Sequence, residues 1–355
     1  MFLKQRRFSR RRPAARRTKQ EIPFFMEVIQ VSDRPACPSF YAVAGRLLFI
    51  ESSDLRLARL IEQLFSGWQL TPVSFPDRSP DIQIKFRCGD ARPVVPSGLD
   101  EFEIAEGGKC VADDADLWLV LRGSVVHLTR QGLIYADVWF EKVPDAGDPL
   151  VARVASFAVC AALRRFGVFE IHSAGVVQPE SEKGVLIIGP SGSGKSTLAL
   201  QLVLAGWPYL SDDELLLSVV DGEVEARGFR SFFAVSAGTV SELGIVTSAP
   251  AGGFKACFEP DAMFAMQRRL SAVPGLLLFT SLSGESETKL DKLTQSETMT
   301  RLIRACPWAT YDTAIAGANL SLLSRLARQA SAFDLLAGRD LLEPGYASRL
   351  LSELP

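Results

Sequence analysis

The run Gly189, Pro190, Ser191, Gly192, Ser193, Gly194, Lys195, Ser196, Thr197 has the G-x-x-x-x-G-K-[ST] spacing of a phosphate-binding loop. Backbone N–H groups curl around phosphate oxygens only where no Cβ obstructs them, which accounts for the glycines. Lys195 supplies a mobile cation for the terminal phosphates, and the N-terminus of the following helix adds partial positive charge. The Ser196 hydroxyl suits a magnesium ion. The expected ligand set is therefore ATP with Mg²⁺.

Three further groups could act on a bound triphosphate. Asp212 and Asp213 follow one short helix after the loop and are flanked by apolar residues. One carboxylate can take the proton of an attacking hydroxyl while the other holds the metal, and neighbours on an extended chain point opposite ways. His172, one of only two histidines, precedes the loop strand; a hairpin would carry it to the mouth of the phosphate site, where it could contact a phosphate or tune Asp212. Glu225 and Arg227 are two apart on a predicted strand and share a face, which suits a Mg²⁺-side acid and a phosphate clamp. A plain exposed ion pair fits the same spacing.

These groups need a scaffold. An apolar strand over Gly184–Ile188 enters the loop, and a helix over Thr197–Ala205 leaves it and stops at Gly206. Strands are predicted at Val168–Val177 and Leu215–Val220, and a helix from Leu150 to about Phe166. Asp145-Ala-Gly-Asp-Pro149 reads as a linker. Residues 21–148 then form a small α+β domain and residues 149–355 the phosphate-binding domain. In the first, Phe24–Val31, Phe40–Ile50, Ile82–Phe86, Leu117–Leu121 and Val125–Thr129 are strand-like. Asp54–Phe65 has helical spacing with Asp54 as cap. His127 stands alone in an apolar run and reads as a structural imidazole. Toward the end, Thr298–Arg304 and Leu320–Leu336 carry helical spacing.

Composition narrows the class. Apolar residues make up 47% and charged residues 23% of the 355, as in ordinary globular proteins. No apolar run approaches the roughly 20 residues that cross a bilayer, so no membrane role is expected. The six cysteines form no close pair, which points to reduced thiols in a cytoplasmic protein. Residues 1–20 hold nine bases and no acid, leaving 30 bases against 41 acids elsewhere. Such a block reads as a solvated tail, and with two aromatics it argues little for nucleic acid.

The order His172, phosphate loop, Asp212-Asp213, Glu225-x-Arg227-Gly228 resembles the catalytic domain of the HPr kinase/phosphorylase family. That bacterial family phosphorylates a serine on a carrier protein and has a phosphoenolpyruvate carboxykinase-like fold. The resemblance spans Val168–Gly228. It runs on more weakly through Lys255-x-x-Phe258-x-Pro260, Pro274–Phe279 and Ala337-Gly-Arg-Asp-Leu341, as in HPr-kinase-related proteins. It implies an α/β, mixed-sheet kinase domain with the phosphate loop at one edge of its active face. It also implies Asp212 as the base, His172 as its support, Ser196 and Glu225 on Mg²⁺, and Arg227 near the transferred phosphate. The family's Arg-x-Pro-Val-x-Pro-Gly-Arg-like loop is not recognisable, so neither phosphorolysis nor HPr itself is carried over.

The function expected is ATP-dependent transfer of a phosphoryl group to a serine-type hydroxyl on a protein, a peptide or a metabolite. The competing expectation is a catalytically silent nucleotide-binding switch. A transport ATPase is excluded because no apolar strand ending in Asp-Glu follows Leu282-Ser-Gly-Glu-Ser286, and a GTPase by the lack of Asn-Lys-x-Asp. Oligomeric state, including a homo-oligomer, stays open.

Overall fold

A computed structural model describes residues 39–89, 91–104, 107–113, 115–129, 132–243, 255–258, 268–306, 308 and 312–354. The basic segment 1–20, the expected strand Phe24–Val31 and Pro260 lie outside them. The architecture is mixed α/β, with one nine-stranded and one six-stranded sheet, both mixed.

The first sheet holds β1 (Ser39–Val43), β2 (Arg46–Ser52), β3 (Thr71–Val73), β4 (Ile82–Cys88), β5 (Asp100–Ile104), β6 (Gly108–Ala112), β7 (Asp116–Leu121), β8 (Ser124–Thr129) and β9 (Ile134–Phe140). Their order is β3-β1-β2-β4-β9-β8-β7-β6-β5, parallel at β2–β4 and β4–β9 and antiparallel elsewhere. The single apolar stretch Phe40–Ile50 is in fact a hairpin, because the chain turns at Ala44 and Gly45, both at positive φ. Helix α1 (Leu55–Ser66) starts where expected: the Asp54 carboxylate accepts the N–H groups of Arg56 and Leu57. His127 is structural, bonded to Asp116 at 3.0 Å and stacked on Trp118.

Helix α2 (Pro149–Arg164) packs into the core that also holds Leu57, Ile84 and Val138. Apolar residues surround almost its whole girth, so it must be covered on every side. The expected linker supplies its cap: Asp148 accepts the Leu150 N–H, and Pro149 occupies the first turn, where its missing N–H costs nothing.

The phosphate-loop region follows with β10 (Phe169–Ile171), β11 (Ser173–Val177), β12 (Gly184–Ile188), α3 (Lys195–Leu204), β13 (Tyr209–Ser211), β14 (Leu215–Val220), β15 (Glu223–Gly228), β16 (Phe233–Ser236), α4 (Ala237–Glu242), β17 (Lys255–Phe258), β18 (Ser271–Ala272), β19 (Pro274–Leu282), β20 (Lys289–Lys292), α5 (Gln295–Ala305), α6 (Thr313–Gln329), β21 (Ser331–Ala337) and α7 (Tyr346–Ser352). The six-stranded sheet has the order β13-β11-β12-β19-β21-β20. The loop strand β12 is therefore an inner strand. A second sheet, β10-β14-β15-β18, packs beside it, and β16 pairs with β17. Alternation along β12 and β19 divides two cores. Val185, Ile187, Leu276 and Leu278 face α3, whereas Leu186, Ile188, Leu277 and Phe279 face α5 and α6. The expected helix over Leu320–Leu336 ends at Gln329, and the rest is strand β21. Strand β21 is only seven residues long and its Ala, Phe and Leu positions carry on the apolar run of the helix before it, so periodicity does not separate the two.

Candidate functional site

Parallel strands β12, β19 and β21 all end at one rim of the six-stranded sheet. Antiparallel pairing brings the start of β11 and the end of β13 to the same rim. Along that rim stand, in order, Asp212-Asp213 after β13, His172 before β11, the phosphate loop after β12, Thr280–Leu282 on β19 and Ala337–Arg339 after β21. The expected hairpin of β11 and β12 is present, with Ser173 opposite Ile188. The acid-bearing strand β13 pairs with β11 rather than with the loop strand.

The loop is compact. A Cβ at Gly189 would lie 2.5 Å from Ser193 Oγ and 2.7 Å from the Thr280 carbonyl oxygen, so only glycine fits. Ser193 Oγ bonds Thr280 Oγ1 at 3.0 Å, tying the loop to β19. Lys195 Nζ donates to the carbonyls of Gly189 (2.8 Å) and Pro190 (3.1 Å). Thr197 Oγ1 bonds Thr239 Oγ1 at 3.1 Å. Above the loop lies a cavity of about 500 Å³, lined by Ser191–Leu198, His172, Asp213, Leu282 and Arg339 among others. That volume suits a nucleotide-sized ligand.

The two aspartates diverge. Asp212 is 1% exposed; its Oδ1 accepts Ser196 Oγ at 2.8 Å and its Oδ2 accepts the Ala234 N–H at 3.0 Å. Asp213 takes a left-handed turn, φ +73°, and lines the cavity with its side chain 48% exposed. His172 Nδ1 lies 3.2 Å from Asp213 Oδ1. The expectation that Asp212 meets the acceptor and Asp213 the metal does not fit these positions, because it is Asp212 that holds the loop serine. Desolvation against the cavity wall keeps the His172 imidazole below its ordinary pKa; Asp213 pulls it upward and Lys195 downward.

Glu225 and Arg227 do not reach the cavity. They bond each other at 3.3 Å on β15, in the second sheet. The plain ion pair is what the structure has. Among the described residues no three His, Cys, Asp or Glu side chains converge on a possible metal position. The oxygen donors at the loop, the Ser196 hydroxyl backed by the Asp212 carboxylate, are hard ligands of the kind Mg²⁺ takes in ones and twos together with substrate phosphates. The site thus fits that ion as a companion of a nucleotide.

Arg230, two residues past β15, was not singled out from sequence, yet it underlies the site. Its guanidinium bonds the Glu214 carboxylate at 3.0 and 3.2 Å and approaches Asp213 Oδ2 at 3.9 Å. Glu214 also accepts from Ser156 Oγ of α2 at 3.2 Å, and burial pushes its pKa up against the pull of Arg230. The turn after α1 clamps the same segment. Gln69 N donates to the Phe229 carbonyl, Gln69 Nε2 donates to the carbonyls of Leu210 and Arg230, and Ser231 N donates to the Gly67 carbonyl. One signal was available: Glu214 directly follows two aspartates between apolar runs, and a third acid there demands a buried cation.

No protein-family model and no curated protein matches the chain. Among solved structures, the HPr(Ser) kinase/phosphatase from Coxiella burnetii aligns at 12% identity over 52% of this chain and 94% of that one, with a TM-score of 0.29. At that score the overlay does not establish a shared fold. Among the described residues, no helix is long and apolar enough to cross a membrane.

Proposed function

We propose that the chain is an ATP-dependent kinase that passes the γ-phosphoryl group to a serine-type hydroxyl of a protein, a peptide or a small metabolite. One observation carries this reading: a half-exposed carboxylate, Asp213, with His172 beside it, opens into the same cavity as the phosphate loop. A bare nucleotide-binding loop has no need of a solvent-facing acid next to it, whereas hydroxyl activation does.

In this reading the loop amides and Lys195 grip the β- and γ-phosphates. Ser196, held by Asp212, would ligate Mg²⁺ brought in with the nucleotide, and the ion would supply neutralisation of the phosphate charge. Asp213 orients the acceptor hydroxyl and takes its proton as the new O–P bond forms and the bond from the γ-phosphorus to the bridging oxygen breaks. His172 fixes the Asp213 carboxylate, and Arg230 braces it from beneath. The family's assignment of the base is thereby moved one residue along.

The test is incubation with γ-labelled ATP, Mg²⁺ and fractions of a cell extract containing proteins, peptides and metabolites. A labelled phosphoester in one fraction, alkali-sensitive where the acceptor is a serine in a protein or peptide, supports the kinase. Tight ATP binding with no label in any fraction supports the nucleotide-binding switch instead.

A further inference from the structure

In-line phosphoryl transfer sets the leaving nucleoside diphosphate opposite the entering hydroxyl. The acid flank of the rim, Asp213 and His172, stands over β13 and β11, so the nucleoside must extend the other way, over β19 and β21. That flank is built differently. Leu282, 62% exposed, Leu341 and Leu342 give it an apolar face, and Arg339 lines the cavity beside them.

Arg339 has a rigid seat. Its N–H donates to the Glu285 carbonyl at 3.0 Å, and the Asp340 N–H donates to the Ser286 carbonyl at 3.0 Å. The Asp340 carboxylate accepts from Thr288 N at 3.0 Å and from Thr288 Oγ1 at 2.5 Å. Gly338 packs so close to the Glu287 backbone that a Cβ would collide with it. Backbone on both sides is thus locked, yet the guanidinium has no hydrogen bond or ion pair among the described residues and is exposed to the cavity. A cation held on fixed backbone without a counter-ion is arranged for a ligand from outside.

We infer that Arg339 is a nucleotide-recognition residue: it binds the nucleoside end of the triphosphate, with the base lying on Leu282 and Leu341. This rests on the kinase reading for the direction of the nucleotide. Arg339 contributes to the α-phosphate and ribose side, whereas Lys195 and the loop amides hold the terminal phosphates. Lying on the far side of the loop from the acceptor, it acts on nucleotide affinity and leaves hydroxyl activation to Asp213.

The experiment measures equilibrium binding of ATP, ADP and inorganic pyrophosphate, with Mg²⁺, to the full chain, Arg339→Ala, Arg339→Lys and Lys195→Ala. Arg339→Ala should weaken ATP and ADP by roughly 5–30-fold, the range for one charge-assisted contact, and leave pyrophosphate unchanged. Arg339→Lys should recover part of the loss, and Lys195→Ala should weaken all three ligands. Unaltered ATP and ADP affinity in a folded Arg339→Ala protein overturns the assignment. So does an equal loss of pyrophosphate, which would make the effect one of general charge. Failure of the native chain to bind ATP at all overturns the kinase reading and this inference together.

Discussion

Asp213→Asn separates the two aspartates. Asparagine tolerates the left-handed backbone at φ +73°, so the turn is kept, whereas alanine would strain it by about 1–2 kcal/mol. The side chain is 48% exposed and its partner His172 is 46% exposed, so folding should change by no more than about 0.5 kcal/mol. The amide cannot take a proton. Loss of a general base lowers the chemical step by about 10²–10⁴-fold, equivalent to about 3–5 kcal/mol of barrier. ATP affinity should stay within about threefold, because Lys195, Ser196 and the loop amides are untouched. Asp212→Asn should behave otherwise. Its amide oxygen can accept the Ala234 N–H and its NH₂ can face Ser196 Oγ, so the bonds survive while the charge behind the serine is lost. That variant should need more Mg²⁺ for the same rate. Single-turnover transfer from γ-labelled ATP across a Mg²⁺ titration, once an acceptor fraction is found, reads both effects. Native transfer by Asp213→Asn, or a defect in Asp212→Asn that no Mg²⁺ concentration relieves, would refute the division of roles.

Three shorter expectations accompany it. Since His172 titrates below the ordinary imidazole value, transfer should hold until the pH drops beneath the usual histidine range and then fall as Asp213 gains a charged neighbour; the acid limb should vanish in His172→Asn. Because folding lowers this pKa, protonation also opposes the folded state, and any stability cost must grow on acidification through that same range. Arg230→Met leaves the Glu214 carboxylate buried without its cation and should cost about 3–5 kcal/mol in denaturant unfolding. That deficit should shrink as the pH is lowered, because burial raises the Glu214 pKa above its unfolded value, so acid favours the folded form; Arg230→Met with Glu214→Gln should recover most of it. Gly189→Ala should abolish nucleotide binding measured by calorimetry, since its methyl would meet Ser193 Oγ and the Thr280 carbonyl, and unchanged binding would mean the loop relaxes freely.

Local chemistry was legible in the chain before any coordinates. The phosphate loop is a contiguous run whose backbone does the binding, so its residue types and spacing alone declare it. The same holds for α1, whose cap at Asp54 is a pair of side-chain-to-backbone bonds across two or three residues. The hairpin that lifts His172 to the loop could be foreseen from two apolar strands and one short polar turn.

Tertiary structure decided everything that depends on which distant backbone lies alongside. Which aspartate turns inward follows from Ser196 and the Ala234 N–H, sixteen and twenty-two residues away, each donating to one oxygen of the Asp212 carboxylate. Glu225 and Arg227 had suitable chemistry on one strand face, but β15 joined the second sheet and carried them away from the cavity. Neither Arg230 nor Arg339 was assigned a role from sequence, and only sheet pairing brought one beneath the acids and the other to the far flank of the rim. Side-chain type and local spacing are written along the chain; the direction in which a carboxylate or guanidinium points is set by long-range strand order, which apolar periodicity does not encode.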